Sequence, residues 1–204
     1  MREKYSEVLA KYVHEKAVEQ IVNWILDYGV HLKITASRST KLGDFRPNMS
    51  KSKGHRITIN YNLNQHSFLI TLVHELAHLV TWNQHGHSAK PHGYEWKLNY
   101  RNMLVPFIRQ GIFPDDVTSA LINYIDNPAA SSCTDTLLMR TLMNYDDQIS
   151  ILLEDIPEKA VFRLETGRVF KKGDKRRKYY QCLEVSSGRL YLINPLAVVE
   201  PVRG

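Results

Sequence analysis

The chain has 204 residues, of which 43% are hydrophobic and 24% charged, proportions that are ordinary for a soluble globular protein. No apolar run approaches the roughly 20 residues needed to span a bilayer, and the charged N-terminus lacks the apolar core of a signal peptide. The only cysteines, Cys133 and Cys182, are too few for a disulfide framework or an all-cysteine zinc site. We therefore expect a cytoplasmic protein without membrane contacts.

The positive charge is concentrated in the last quarter of the chain. Residues 161–204 hold ten Lys/Arg and four Asp/Glu, a net of +6, which equals the net charge of the whole chain. The preceding residues hold 17 basic and 17 acidic side chains, a net of zero. This asymmetry favours a polyanionic partner for the C-terminal segment.

The first elements alternate between helix and strand. Residues 5–28 predict one helix, because apolar residues recur at helical spacing and Gly29 follows as a stop signal. Residues 31–37 predict a short strand, and residues 38–54 predict a polar loop or an irregular hairpin. Residues 55–61 alternate apolar and polar side chains, which predicts a second strand.

Helices dominate the middle of the chain. A long helix is predicted over residues 67–84, and a second over residues 94–110, which Pro106 should break or bend. A third helix is predicted over residues 115–125 and a short one over residues 136–145.

Short β-type runs separated by glycines follow from residue 160, and they predict a small antiparallel sheet. The chain is therefore expected to have an α+β fold with three parts. These are a main domain over residues 1–126, a linker with a short helix over residues 127–157, and a small basic β module over residues 158–204.

The long central helix carries the sequence His74-Glu75-Leu76-Ala77-His78. Residues four apart share one face of a helix, so the two histidines can bind one metal ion together. On a helical wheel Glu75 and His78 lie about 100° and 40° from His74. Six apolar residues of this helix lie between about 120° and 240°: Phe68, Leu69, Leu72, Leu76, Leu79 and Val80. Glu75 thus borders the metal face without being a ligand, which predicts a catalytic zinc site with a general base.

A catalytic zinc site needs a third protein ligand and an open fourth position. The candidates are His85, His87, His92 and Glu95. His85 lies about 10 Å beyond His78 along the helix, too far to share an ion, and at His87 the chain has barely begun to turn. His92 is separated from His78 by 13 residues, enough for a loop to return. We favour His92, with Glu95 as the alternative, although support of a ligand imidazole is the more common role of such a carboxylate.

These parts predict hydrolysis of peptide bonds. One zinc ion would lower the pKa of a water molecule to about 7 and polarise the scissile carbonyl. Glu75 would take the proton from this water and deliver it to the leaving amine. A side chain that stabilises the oxyanion is also expected. Tyr61, Tyr94 and Tyr100 are candidates among which the sequence does not choose.

The motif and its surroundings resemble the SprT-like zinc metallopeptidases, which include the Spartan proteases that degrade DNA–protein crosslinks. The similarity lies in the run from Leu72 to Val80 and in Pro91-His92-Gly93-Tyr94-Glu95-Trp96, and it extends over roughly residues 32–104. A zinc helix followed by His-Gly-x-Glu-Trp is much more specific than His-Glu-x-x-His alone.

The resemblance implies that residues 1–126 are a compact metallopeptidase domain of the zincin type that acts on a protein or peptide substrate. It implies one zinc ion, held by three histidines beside a catalytic glutamate. The residues concerned are His74, His78, His92 and Glu75.

In such folds an edge strand can hold the substrate in extended form above the metal by main-chain pairing, and residues 55–61 are our candidate for that strand. Bacterial SprT proteins often end in a zinc ribbon with Cys-x-x-Cys pairs. The β module over residues 158–204 has the position of such a ribbon but no such pair, so a second zinc ion is not expected.

Residues 168–180 combine seven cations with three aromatic side chains in 13 residues. Cations can contact phosphates and aromatic rings can stack on unpaired bases, so DNA is a candidate partner of this segment. The alternative is a solvated hairpin whose aromatic residues belong to the small core. Binding to DNA would depend on salt and show no sequence preference.

Three hypotheses remain open at this point. The first is a zinc peptidase recruited to nucleic acid by the basic module, and the second is a zinc peptidase or amide hydrolase without a nucleic-acid role. The third is a non-enzymatic, nucleic-acid-associated protein with structural zinc, which Glu75 disfavours because a structural site needs no base beside an open position. The linker helix could also cover the cleft, with Cys133 or a nearby acid as a plug.

Overall fold

The structure is a computed structural model. It describes residues 1–38, 41–48, 54–125, 128, 135–148 and 150–202. The chain divides into two compact units, Met1–Asp147 and Gln148–Gly204. The first combines helices with a three-stranded sheet and the second is built from strands, so the predicted α+β class is confirmed. The boundary between the units falls inside the predicted linker. Cys133 lies outside the described residues, and the idea that it plugs the cleft stays a prediction.

Ten elements form the described part of the first unit. In chain order they are α1 (Arg2–Leu9), α2 (Glu15–Asp27), β1 (His31–Thr35), β2 (Gly43–Arg46), β3 (Arg56–Asn60), α3 (Gln65–His85), a 3-10 helix (Gly86–Ser88), α4 (Tyr94–Arg109), α5 (Asp115–Ile125) and α6 (Thr136–Met143). Most of these match the predicted elements to within two residues. No helix in the described part of the chain is both long and apolar enough to cross a bilayer.

The single helix predicted over residues 5–28 is wrong, because the chain forms α1 and α2 with a turn between them. His14 has an extended ψ of 140°, and its Nδ1 accepts a hydrogen bond from the backbone N–H of Lys16 at 3.2 Å. His14 therefore caps the start of α2. Both helices bury apolar residues in the same core, so the apolar periodicity continues across the break and does not reveal it.

Pro106 was predicted to break or bend α4, and of these two outcomes the break is wrong. The helix continues beyond it, and its carbonyl accepts a hydrogen bond from the N–H of Gln110. A proline inside a helix costs about 3 kcal/mol. The neighbouring side chains of Met103 and Phe107 are buried in the core of the unit, and this packing offsets the cost.

The three strands of the first unit have the order β1-β3-β2, with β3 parallel to β1 and antiparallel to β2. The expectation that residues 55–61 form an edge strand is therefore wrong, since β3 is paired on both sides. The helix α3 packs against one face of this sheet, where the buried side chains of Ile57 and Ile59 lie. The edges of the sheet are β1 and β2.

Six strands form the second unit. They are β4 (Val161–Leu164), β5 (Val169–Lys171), β6 (Lys175–Arg176), β7 (Tyr179–Glu184), β8 (Leu190–Ile193) and β9 (Val199–Pro201). Their pairings are antiparallel, as predicted. The unit has its own core, which includes Phe162, Phe170 and the fully buried Cys182.

Candidate metal centre

Three histidine side chains converge beside α3. His74 and His78 are one turn apart on this helix, and His92 returns to them from the loop before α4. The Nε2 atoms of His74 and His78 are 3.2 Å apart, those of His78 and His92 2.9 Å, and those of His74 and His92 3.2 Å. Nitrogen ligands about 2.0–2.1 Å from a tetrahedral zinc ion lie about 3.3 Å from each other. The three nitrogens thus have nearly the spacing of a zinc site.

Hydrogen bonds alone cannot explain this triangle of nitrogens. Each ring nitrogen of a neutral imidazole is either a donor or an acceptor. Among three nitrogens in mutual contact, at least two have the same role, so at least one pair is repulsive. A cation that accepts a lone pair from all three removes the conflict. In the described part of the chain, this is the only cluster of three or more His, Cys, Asp or Glu side chains suited to a metal ion.

Burial keeps the three imidazoles neutral. The pKa of His74 is lowered to about 3, first by burial and then by the proximity of His78 and His92. Burial and then His92 lower the pKa of His78 to about 4, and burial also lowers the pKa of His92. Neutral imidazoles offer their lone pairs at pH 7, as metal binding requires.

A tight turn places His92 beside the helix. His92 has a φ of 57°, a left-handed conformation that is uncommon for residues other than glycine and often marks functional sites. The N–H of Gly93 donates to the carbonyl of Lys90 at 2.9 Å, and a Cβ at Gly93 would lie 2.9 Å from the same oxygen. Gly93 therefore permits the turn.

Trp96 lies against all three histidines. Its ring centroid is 4.6 Å from that of His74, 5.2 Å from that of His78 and 4.7 Å from that of His92. Tyr100, one turn further along α4, stacks on Trp96 at 5.0 Å. Both aromatic residues are fully buried, so they restrict imidazole rotation and exclude water. From the sequence, Trp96 was identified only as part of a motif. Its contact with the histidines was not predicted, although the four-residue spacing to Tyr100 could have suggested it.

The strand β2 lies against the opposite side of the site and contacts Glu75. The backbone of Phe45 lies near the carboxylate of Glu75 and acts to lower its pKa. A Cβ at Gly43 would lie 2.6 Å from Oε1 of Glu75, so only glycine leaves room for this carboxylate. The ring of Phe45 stacks on that of His78, with centroids 6.5 Å apart. From the sequence, only a loop or irregular hairpin was predicted here, so the contacts of Gly43 and Phe45 with the site were missed.

The environment of Glu75 favours its protonated form in the metal-free protein. Burial, and after it the charge of Asp44, raises the pKa of Glu75 to about 8. The Phe45 amide and the charges of Arg38 and Lys41 act in the opposite direction. A nearby cation favours the ionised carboxylate, so metal binding is expected to lower this pKa toward the range of a base.

A comparison with known families identifies the family of this chain. A model of the SprT-like family matches residues 7–108, half of the chain. The chain belongs to the SprT-like family. No curated protein and no solved structure matches it. The matched region includes the three histidines, Glu75, β2 and Trp96, and it ends before the β module. Membership associates the chain with metallopeptidase-type hydrolases.

The other candidates from the sequence lie outside the histidine cluster of the SprT-like chain. His87 contacts Trp82, with ring centroids 4.4 Å apart, and Glu95 lies in the first turn of α4. Tyr100 is fully buried behind Trp96, so its hydroxyl cannot reach a substrate. Two other tyrosines, at 57% and 76% exposure, stay candidates for oxyanion stabilisation: Tyr61 and Tyr94.

Unpaired buried polar atoms surround the centre of this SprT-like fold. They have no hydrogen-bond partner among the described residues, and they are Thr71 Oγ1, His74 Nδ1, Trp96 Nε1 and Tyr100 Oη. Such atoms are costly in an ordinary core and are rare outside functional sites. Their position around the three histidines marks this part of the core as a site shaped for function.

The metal-free SprT-like protein is expected to be most stable near pH 6.5. Unfolded histidines take up protons near pH 6.5, but folded His74 and His78 do so only near pH 3 and 4, so acid lowers stability across that window. Unfolded Glu75 ionises near pH 4.5 and the folded one near pH 8, so stability falls as pH rises toward 8. Below about pH 6.5 acid lowers stability through two histidines and raises it through only one carboxylate. The net stability therefore falls as pH falls.

The measurement is thermal unfolding of chelator-treated protein between about pH 4 and 9, for the wild type and for Glu75→Gln. The difference between the two profiles isolates Glu75, since every other group titrates in both proteins. The alkaline decline should be reduced in Glu75→Gln. Coincident profiles above about pH 6.5 would contradict the raised pKa.

Proposed function

We propose that this protein is a zinc-dependent peptidase that hydrolyses peptide bonds. The observation that carries the proposal is the convergence of three neutral imidazole nitrogens beside one buried carboxylate that is not a ligand. Three histidines with an open fourth position are typical of catalytic zinc, and a helix that carries two of them beside a sheet edge agrees with a zincin-type fold. The alternative, a non-enzymatic protein with structural zinc, gives Glu75 no role.

Each residue of the site has a separate role in hydrolysis. Zinc held by His74, His78 and His92 would polarise the scissile carbonyl and lower the pKa of a water molecule to about 7. Glu75 accepts the proton of the attacking water and transfers it to the leaving amine. The close contact with Gly43 of β2 sets the position of the Glu75 carboxylate for both transfers.

The edge strand β2 replaces residues 55–61 as our candidate for holding the substrate. The N–H of Asn60 donates to the carbonyl of Leu42 at 2.9 Å, so residue 42 and alternate residues after it face β3. The backbone groups of Gly43 and Phe45 then point away from β3. An extended substrate can pair with this side of β2, next to Glu75 and His78.

A cavity of about 280 Å³ opens beside His78. Its lining is mostly apolar and includes Phe45, Trp82, Pro91 and Trp96. Ligand pockets with such linings bind apolar groups, so we expect cleavage next to large apolar residues. A larger cavity of about 830 Å³ lies between α1, the end of α2 and β1 and contains none of the metal-centre residues.

Removal and return of the metal tests the proposal. Protein treated with a chelator is expected to lose cleavage of a denatured protein substrate, and stoichiometric zinc should restore it. The chelator must first be removed by gel filtration, so that free metal is controlled. Zinc-loaded protein that cleaves no peptide bond in any denatured substrate would exclude the peptidase.

Replacing Gly43 by Ala is expected to lower kcat at least about tenfold with little change in zinc content. The added methyl group would lie 2.6 Å from Oε1 and 2.8 Å from Cγ of Glu75, so the carboxylate must move, and small displacements of catalytic groups cost orders of magnitude in rate. Steady-state kinetics and zinc analysis measure the two quantities. An unchanged kcat would show that β2 does not set the position of Glu75.

We also propose that the β module binds DNA through residues 168–180. Six of the seven cations there are exposed, which supports contacts with phosphates. Two of the seven are engaged within the unit: the exposed Arg168 forms an ion pair with Glu184 at 2.7 Å, and Lys172 is buried and donates to two backbone carbonyls. Of the three aromatic rings, only Tyr179 is exposed enough to stack on a base.

The variant Arg176→Gln/Lys178→Gln tests the DNA proposal. Loss of two phosphate contacts should weaken binding to an oligonucleotide about tenfold and lower the salt slope by about two. Fluorescence anisotropy at several salt concentrations measures both. Arg163→Gln/Arg189→Gln is the matched control, because it removes equal charge from the same unit outside the segment. Equal losses of DNA affinity in the two variants would show that net charge alone, and not this segment, explains the binding.

A further inference from the structure

One face of the three-stranded sheet is strongly basic. Side chains alternate between the faces of a strand, and the register sets Arg56 of β3 opposite His31 of β1 and opposite Arg46 of β2. Directly opposed side chains lie about 5 Å apart, and like charges in such positions destabilise a sheet. The sheet therefore carries a row of three basic residues that an anionic ligand would stabilise.

This row borders a cavity of about 380 Å³. The cavity is lined by His31, Arg46, Pro47, Asn48, Gly54 and Arg56, with no acidic side chain among them. A Cβ at Gly54 would collide with the carbonyl oxygen of Gly29. The N–H of His31 donates to the carbonyl of His55 at 2.8 Å. These contacts hold the starts of β1 and β3 together, so the cavity is a built feature of the sheet.

The two guanidinium groups have capacity for a ligand. The side chain of Arg56 makes no hydrogen bond or ion pair with any part of the chain that the structure describes. Arg46 contacts Asp44 through Nε alone, at 2.8 Å, and Asp44 is shared with Lys41 at 2.7 Å. The paired terminal nitrogens of arginine match the oxygens of a phosphate group.

The charge extends beyond the cavity. The side chains on this side of the sheet, together with Arg38 and Lys41, are called the basic face below. Arg38 belongs to it because its guanidinium donates to Asn60 and Thr58. Among the described residues it contains five Lys/Arg side chains and one acidic side chain, so its net charge is +4. The members are His31, Lys33, Thr35, Arg38, Lys41, Asp44, Arg46, Arg56, Thr58 and Asn60.

We propose that the basic face binds the phosphate backbone of a nucleic acid, with the cavity between Arg46 and Arg56 receiving one phosphate group. Several cations spread over a polar face suit an extended polyanion, and large apolar side chains, which a lipid surface would require, are not part of it. The site belongs to the first unit and is separate from residues 168–180.

The position of the basic face bears on the choice of substrate. Arg46 lines the cavity on one face of β2, while its neighbour Phe45 stacks on His78 on the other. A protein attached to the bound nucleic acid is thereby held close to the metal centre. This consequence rests on the proposed peptidase activity, whereas the binding itself does not.

The test compares Arg46→Gln/Arg56→Gln with Lys16→Gln/Arg109→Gln in the full chain. The control removes equal charge from exposed positions on α2 and α4 of the same unit. The probes are a fluorescent oligonucleotide of mixed sequence and an acidic peptide of equal charge, each titrated by anisotropy at several salt concentrations. Thermal unfolding checks that the variants fold, and no loss of stability is expected because opposed charges are removed.

We expect Arg46→Gln/Arg56→Gln to weaken oligonucleotide binding about tenfold and to lower the salt slope by about two, with the control close to wild type. Wild-type affinity in this variant would overturn the proposal, as would an equal loss in the control. Stronger binding of the acidic peptide than of the oligonucleotide would assign the face to a protein partner instead. The experiment measures binding and not cleavage, so its result can be interpreted even if the peptidase proposal fails.

Discussion

Replacing Glu75 by Gln is expected to reduce peptide hydrolysis at least about a hundredfold while the protein keeps its zinc. Glutamine has nearly the size of glutamate but cannot accept the proton of the attacking water. Glu75 is 7% exposed, so no other carboxylate can take its place from solvent. Cleavage rates and zinc content of the same preparations measure the two effects.

Glu19→Gln is the matched control for this substitution. It makes the same chemical change at an exposed position on α2, and we expect wild-type rates. If Glu75→Gln cleaves at the wild-type rate with zinc bound, Glu75 is not the base. If it loses zinc, Glu75 has a structural role in the site that its geometry does not suggest.

Replacing His92 by Ala is expected to weaken zinc binding more than about a hundredfold and to abolish hydrolysis. Loss of a group that merely supports a ligand costs about 10- to 100-fold in affinity, so loss of a ligand should cost more. Its Nε2 is 2.9 Å from that of His78, and among the described residues no fourth His, Cys, Asp or Glu side chain belongs to the cluster. Competition with a fluorescent chelator gives the affinity.

His87→Ala is the control, because it removes a histidine five positions earlier that contacts Trp82 instead of the cluster. Zinc should raise the unfolding temperature of this control and of the wild type, but not that of His92→Ala, since a ligand stabilises only a fold that binds it. The third-ligand assignment fails if His92→Ala binds zinc normally. If Glu95→Ala then loses the metal, Glu95 is the third ligand instead.

The parts of the site that lie within one element were predictable from the sequence. Helical geometry alone places His74 and His78 on one face with Glu75 at its border. The length of the intervening chain made His92 the best third candidate. Such inferences succeed because local spacing determines local geometry.

The contacts from β2 were not predictable in this way. Gly43 and Phe45 meet the metal centre only because β2 pairs with β3 in one register, and pairing between distant segments leaves little local signal. The same limitation explains the wrong edge strand: residues 55–61 have a clear alternation, which reveals a strand but not its neighbours. In the sheet of the described residues β2 is one of the two edge strands, so it replaces β3 as our candidate for that role.

Whole-segment charge counts also concealed a feature of the first unit. Equal numbers of acidic and basic residues before residue 161 suggested no partner for this region. The strand register nevertheless gathers Arg46, Arg56 and their neighbours on one face of the sheet. Charge segregation in space is visible only once strand order is known.

X-ray absorption at the zinc edge of the reconstituted protein tests the central claim most directly, because it reports the identity, number and distance of the ligands. A catalytic site built from His74, His78 and His92 predicts three nitrogen ligands at about 2.0–2.1 Å and one oxygen ligand in the open position. A sulfur ligand at about 2.3 Å, or a fourth protein nitrogen that closes the site, would contradict it.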